Sequence, residues 1–192
     1  MRTIYTSTTV YTFDELDEVA REKAIERFAY TNVDYPWWES TYDLIQSAGR
    51  CLGIECEVKA FDLGRGAGVS LSGYYAYNKG WRKALREEFG GDLLVELEAI
   101  GALLQRAQRP LFYRASVRLT PHRNYTGTHF EEWSADGAPI KDYDDLDEAL
   151  RAFERWALRT LHREYEYLTS EEAIAEAIRA NGYEFDANGR LY

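Results

Sequence analysis

The stretch Ile54-Glu55-Cys56-Glu57-Val58-Lys59-Ala60 is followed by a glycine-rich connection over residues 63–68, and then by Val69-Ser70-Leu71-Ser72-Gly73-Tyr74-Tyr75-Ala76-Tyr77. In the first run Ile54, Cys56, Val58 and Ala60 alternate with Glu55, Glu57 and Lys59. That period of two is the pattern of a strand with one face buried. Val69, Leu71, Gly73, Tyr75 and Tyr77 repeat it, so the two runs read as a hairpin with a loop between them.

Helical patterns lie on both sides. Upstream, residues 2–11 are rich in Thr with Ile4, Tyr5, Val10 and Tyr11, a strand composition. Thr12 and Glu15 form a capping-box pair. It predicts a helix over residues 13–30 with Leu16, Val19, Ala20, Ala24 and Phe28 on its apolar stripe. Pro36 suits the first turn of a second helix. Trp38, Tyr42, Ile45, Ala48 and Leu52 line that helix, and Gly53 ends it.

Downstream, residues 80–107 are helical with a break at Gly90-Gly91. Alternation from Leu111 to Leu119 and a return over residues 129–133 give a second hairpin. The longest helix spans residues 144–168, with Trp156 at the edge of its stripe. Thr169 and Glu172 cap a short helix, and a small terminal hairpin follows Gly182. Hairpins separated by helices imply an α+β fold: an antiparallel sheet with several helices packed against it, as one domain over residues 1–192.

The chain carries 33 acidic and 23 basic residues, a net charge of -10. Nucleic-acid affinity comes largely from neutralised phosphates, so direct DNA or RNA binding is disfavoured, as is an anionic membrane surface. A basic protein partner, or mimicry of nucleic acid, fits the charge. Cys51 and Cys56 lack a second pair for a zinc framework; they read as buried apolar residues of a reducing cytosol. The amino-terminal residues lack the apolar run of a signal peptide. No stretch approaches the roughly 20 apolar residues of a membrane span.

The catalytic inventory is thin. Gly64-Arg65-Gly66-Ala67-Gly68 lacks the Lys-Ser/Thr of a phosphate loop, and a strand follows it where a helix is required. His122, His129 and His162 form no His-Glu-x-x-His pattern, and His129 and Glu131 share a strand face that Glu132 does not. No serine occupies a nucleophile elbow. The reading is therefore a non-enzyme with no metal and no cofactor.

Contact residues are sought among exposed aromatics and charges. Trp37 is offset by about 100° from the apolar Trp38 on the same helix, and Tyr74 faces away from Tyr75 and Tyr77. Arg65 stands in the glycine-rich loop. Acidic blocks over residues 14–22 and 142–148 open two helices. They serve either as dipole compensation on a solvated face or as a carboxylate array for a basic partner. Candidate partner-binding residues are Trp37, Arg65, Tyr74, Asp142, Asp144, Asp145 and Asp147.

Three segments together resemble a known group. They are residues 11–24 (Tyr11-Thr12-Phe13-Asp14-Glu15-Leu16 and onward), Asp34-Tyr35-Pro36-Trp37-Trp38-Glu39-Ser40, and the glycine-rich residues 64–73 with the tyrosines after them. The terminal pattern of Tyr183, Phe185, Gly189 and Leu191 adds to them. They resemble small phage and prophage proteins often labelled "antitoxin of toxin–antitoxin stability system". The resemblance implies a non-enzymatic accessory protein of the bacterial host cytoplasm. It would bind and neutralise a protein with a basic surface, either a toxin or a host defence component, in the manner of an anti-CRISPR inhibitor. Alternatives are a protein that sequesters a nucleotide signal, for which net charge matters less, and a nucleic-acid mimic.

Overall fold

The computed structural model of the protein describes residues 1–4, 7–133 and 144–192. The fold is α+β, built on antiparallel strand pairs. Contacts divide the chain into two compact units, Met1–Trp37 with Arg163–Tyr192, and Trp38–His162.

In the first unit, β1 (Tyr11–Thr12) pairs with β6 (Glu184–Phe185). Helices α1 (Glu18–Arg27) and α6 (Glu171–Ala180) complete it. Phe13, Leu16, Ala20, Ala24, Ile174, Ile178 and Phe185 form its core, and Phe28 stacks on Tyr183 at 5.0 Å. Of the strand expected over residues 2–11, the described residues meet a partner strand only at Tyr11, in the two-residue β1. The helix expected from residue 13 begins later. Phe13–Glu15 is a single 3-10 turn, Leu16 is extended, and the Asp17 carboxylate accepts from Ala20 N at 2.8 Å to start α1. This shift rotates Val19 out of the apolar stripe and leaves it exposed. Likewise Ser170, not Thr169, caps α6, because the Thr169 hydroxyl donates back to the Tyr165 carbonyl.

The second unit holds α2 (Glu39–Leu52), β2 (Ile54–Asp62), β3 (Gly68–Ala76), α3 (Trp81–Glu88), α4 (Gly91–Gln108), β4 (Ser116–Pro121) and β5 (Thr128–Trp133). The last helix, α5 (Asp144–Leu168), runs on into the first unit. The four strands lie in sequence order, each antiparallel to the next. Ile54, Val58, Leu71, Tyr75, Val117, Leu119 and Phe130 are buried on one face. The opposite face carries Glu55, Tyr74, Arg118 and Glu131 in one cross-strand row, so this sheet has a core side and a solvated side.

Two details depart from simple alternation. The pairing slips at Lys59, so Val58 faces Leu71 while Ala60 faces Ser70. The extra residue is a bulge that reverses the faces, which leaves Ala60 exposed and Phe61 half-buried. Trp156, expected at an edge, is fully buried beside Phe153. Cys51 and Cys56 are free and half-buried rather than fully buried, and burial pushes the Cys56 thiol up to about 12. No described helix is long and apolar enough to cross a membrane.

Gly73 shows how tightly the sheet is drawn. Its φ is +147°, and a Cβ there would lie 1.9 Å from the Glu55 carbonyl oxygen. Gly73→Ala should cost about 3 kcal/mol through strain and overpacking, read as a lowered urea midpoint. Gly90→Ala, with open space around it and no positive φ, should leave the midpoint near wild type. Equal midpoints for the two variants would remove the steric argument.

Candidate functional site

β4 stays paired with β3 only from Gly73–Leu119 to Ala76–Ser116. Beyond that point β3 needs other partners for its backbone, and the start of β5 supplies them. The buried Thr128 hydroxyl accepts from Leu71 N at 3.0 Å and donates to the Val69 carbonyl at 3.2 Å. The buried Ser70 hydroxyl accepts from Gly127 N at 3.0 Å. Thr128 N in turn donates to the Glu154 carboxylate of α5 at 2.8 Å. This polar clasp draws the two hairpin tips together. A Cβ on Gly68 would come within 2.3 Å of the Thr126 carbonyl oxygen, so only glycine permits the approach.

Between the tips and α5 lies a cleft of ≈ 320 Å³, its walls including Gly68, His122, Tyr125, Arg151, Glu154 and Arg155. The His122 and Tyr125 rings stack at 4.1 Å with 27° between their planes, and the tyrosine hydroxyl is 2.8 Å from His122 Nε2. Arg151 crosses the Phe130 ring and binds Asp147 through two contacts, at 2.6 and 3.2 Å; its Nη1 is 3.7 Å from Glu154 Oε2. Arg155 pairs with the exposed Glu148 at 2.6 Å. The Glu154 side chain is only 13% exposed. Burial raises its pKa above the ordinary 4.5, against the opposing pull of the Thr128 hydrogen bonds and the Arg151 charge. The cleft thus offers guanidinium groups, an aromatic plate and a protonatable carboxyl. The Ser70 and Thr128 hydroxyls are committed to backbone. Among the described residues no three His, Cys, Asp or Glu groups converge as metal ligands.

A second feature lies where α4 ends. Arg109–Leu111 form a 3-10 turn, and Phe112 and Tyr113 then adopt φ of 53° and 59°. Left-handed backbone is costly for side chains of this size. Fully buried Gln108 holds it in place. Its carboxamide donates to the Ala115 carbonyl at 2.8 Å and accepts from Ala115 N at 3.3 Å, and its carbonyl accepts from Tyr113 N. Phe112 is left 80% exposed between exposed Arg109 and Arg114, while Tyr113 leans on Tyr77 at 4.6 Å. The strand expected from Leu111 therefore begins only at Ser116.

Residues 37–171 match the family model described as a domain of unknown function, DUF8835. The chain belongs to the DUF8835 family. No curated protein and no solved structure matches it. The DUF8835 span contains the sheet, the cleft and the Phe112 turn, whereas β1, α1 and β6 lie outside it.

Within the DUF8835 span the expected contact residues scatter. Trp37 is not an exposed anchor: it is 7% exposed, with its ring 5.8 Å from Tyr165. α2 starts at Glu39, so Trp37 precedes the helix and the offset of about 100° does not apply. Trp38 is the half-buried one, edge-on to Phe61. Arg65 is exposed on the tip whose Ala67 and Gly68 line the cleft. Tyr74 stands on the solvated sheet face, where its hydroxyl meets Glu55, which raises its pKa. Asp144 and Asp145 are exposed, Asp147 is half-buried against Arg151, and Asp142 lies outside the described residues. Outside the DUF8835 span, the other acidic block does structural work: Asp14 binds Arg179, Glu15 binds Thr12, and Asp17 caps α1. Sequence reasoning passed over Arg151, Glu154 and Arg155. Their i, i+3 and i, i+4 spacing on a polar helix face was the available signal.

Two measurements test the clasp. Thr128→Val keeps the shape but strands the Val69 and Leu71 backbone groups, and should cost about 2–4 kcal/mol; a loss within error of zero would mean the hydroxyl is dispensable. Glu154 titrates in the opposite sense to a salt-bridged carboxylate. Its folded-state pKa is raised, so the folded chain holds the proton more readily than the unfolded chain. Its contribution is complete below pH 4.5 and is lost as pH rises through the folded value. Relative to Glu154→Gln, the wild type should therefore lose stability as the pH rises above 4.5. Parallel denaturation curves across that range would refute the assignment.

Proposed function

We propose that the protein is a non-enzymatic accessory protein that binds and neutralises a protein target, a toxin or a host defence component, in the cytoplasm of a bacterial host. The resemblance of residues 11–24, 34–40 and 64–73 to phage and prophage proteins supports that setting. The observation that carries the reading is Phe112, an aromatic side chain held out in solvent on left-handed backbone. Such backbone costs an L-residue about 1–2 kcal/mol, and the buried Gln108 carboxamide maintains it. Aromatic and arginine side chains dominate binding hot spots, and a preformed anchor reduces the ordering cost of association. Phe112 with Arg109 and Arg114 calls for an apolar socket bordered by carboxylates. Exposed Asp144 and Asp145 would meet basic groups on the same target.

The cleft favours a second reading, capture of a small anionic molecule. Nucleic-acid mimicry draws less support, because Asp147 and Glu148 are already paired with arginines.

Affinity purification from the host, followed by mass spectrometry, should yield one stoichiometric protein partner. Phe112→Gly should weaken that complex by at least about tenfold while raising the stability of the free chain by up to about 1 kcal/mol. An undiminished complex would sink the proposal.

A further inference from the structure

We propose that the hairpin-tip cleft is a separate binding site for a mononucleotide, a phosphate ester carrying an aromatic base. Three features of the cleft converge on that chemistry. The volume of ≈ 320 Å³ suits a small ligand rather than a polymer. The Tyr125 ring is 64% exposed, yet its hydroxyl contact with His122 and the stack beneath it fix its plane. A fixed, accessible aromatic plate accepts any nucleobase by stacking. Arg155 lines the same cleft, and its partner Glu148 is a solvent-exposed carboxylate. Exposed pairs of this kind hold weakly, whereas a phosphate takes a guanidinium through two parallel hydrogen bonds. Arg155 can therefore exchange Glu148 for a phosphate at little cost.

The remaining groups set orientation. Arg151 is anchored by Asp147 and Phe130 and brings a second positive charge to the wall. Glu154 is fixed by Thr128 N and presents a carboxyl to the cleft, the one among its described lining residues. It is the acceptor for the amino or imino hydrogens of a base edge. The charge of -10 on the chain opposes a polynucleotide with its many phosphates, and opposes a single phosphate ester far less. The site is independent of Phe112, which does not line the cleft.

The test is calorimetric titration of the full chain with AMP, GMP, CMP and UMP, beside adenosine, ribose 5-phosphate and inorganic phosphate. At least one mononucleotide should bind about tenfold or more tightly than the nucleoside, the sugar phosphate or inorganic phosphate. Arg155→Gln should bring the nucleotide down to nucleoside affinity, and Tyr125→Ala should bring it down to phosphate affinity. Phe112→Gly should bind as wild type, which separates this site from the protein-target reading. Backbone amide shifts at Gly68 and Thr128 on nucleotide addition supply a readout that needs no variant. The proposal is overturned if no mononucleotide binds at millimolar concentration, if inorganic phosphate binds as well as the best nucleotide, or if the shifts fall elsewhere.

Discussion

One hydroxyl group carries much of the second unit's geometry. β3 runs on past the end of its ladder with β4, so the Leu71 N–H and the Val69 carbonyl would be left inside the protein without partners. Buried backbone groups in that state cost as much as a lost hydrogen bond. Thr128 meets both with a single side chain, acting as donor and acceptor at once. Because it must reach across at that position, the β4–β5 turn is drawn down beside the glycine-rich tip. Because its own N–H must then be met, α5 places Glu154 there. The cleft is the space left over by this sequence of obligations.

The periodic elements were legible in the sequence. The β2–β3 hairpin, the α2 stripe from Tyr42 to Leu52 and the span of α5 follow from apolar spacing alone. What escaped depended on position along the chain rather than on period. Trp37 and Trp38 exchange roles because the helix starts at Glu39, three residues later than Pro36 suggests. Ala60 leaves the core because one added residue at Lys59 inverts the face. Leu111, Tyr113 and Ala115 alternate as a strand would, yet Gln108 secures the chain in a turn instead. Of the candidate contact residues, Arg65 and Tyr74 are exposed as the hairpin reading implied. The cleft was illegible because its parts come from a turn, a loop tip and the polar face of a helix, which only tertiary contact brings together. The division into two units was equally hidden. It falls between adjacent tryptophans and inside the last quarter of α5, where no change of composition marks it.

Acidity reads differently once several carboxylates have been given neighbours. Asp14, Asp17, Asp147 and Glu148 answer to Arg179, the first turn of α1, Arg151 and Arg155. The net charge describes the far field that steers a partner's approach. The local field in the cleft is set by which of these pairs a ligand can displace.

The bulge at Lys59 has a consequence for life in a crowded cell. β2 ends the four-stranded sheet, and the last strand of any sheet offers its free backbone to other chains. A flat strand of nine residues would be a template for endless addition of copies. The bulge breaks that template after five residues by twisting the backbone out of line. Glu55 and Glu57 stand on the exposed face of the part that remains, and Lys59 is exposed at the bulge itself. The irregularity that cost Ala60 its place in the core thus also interrupts the regular edge to which another chain could add.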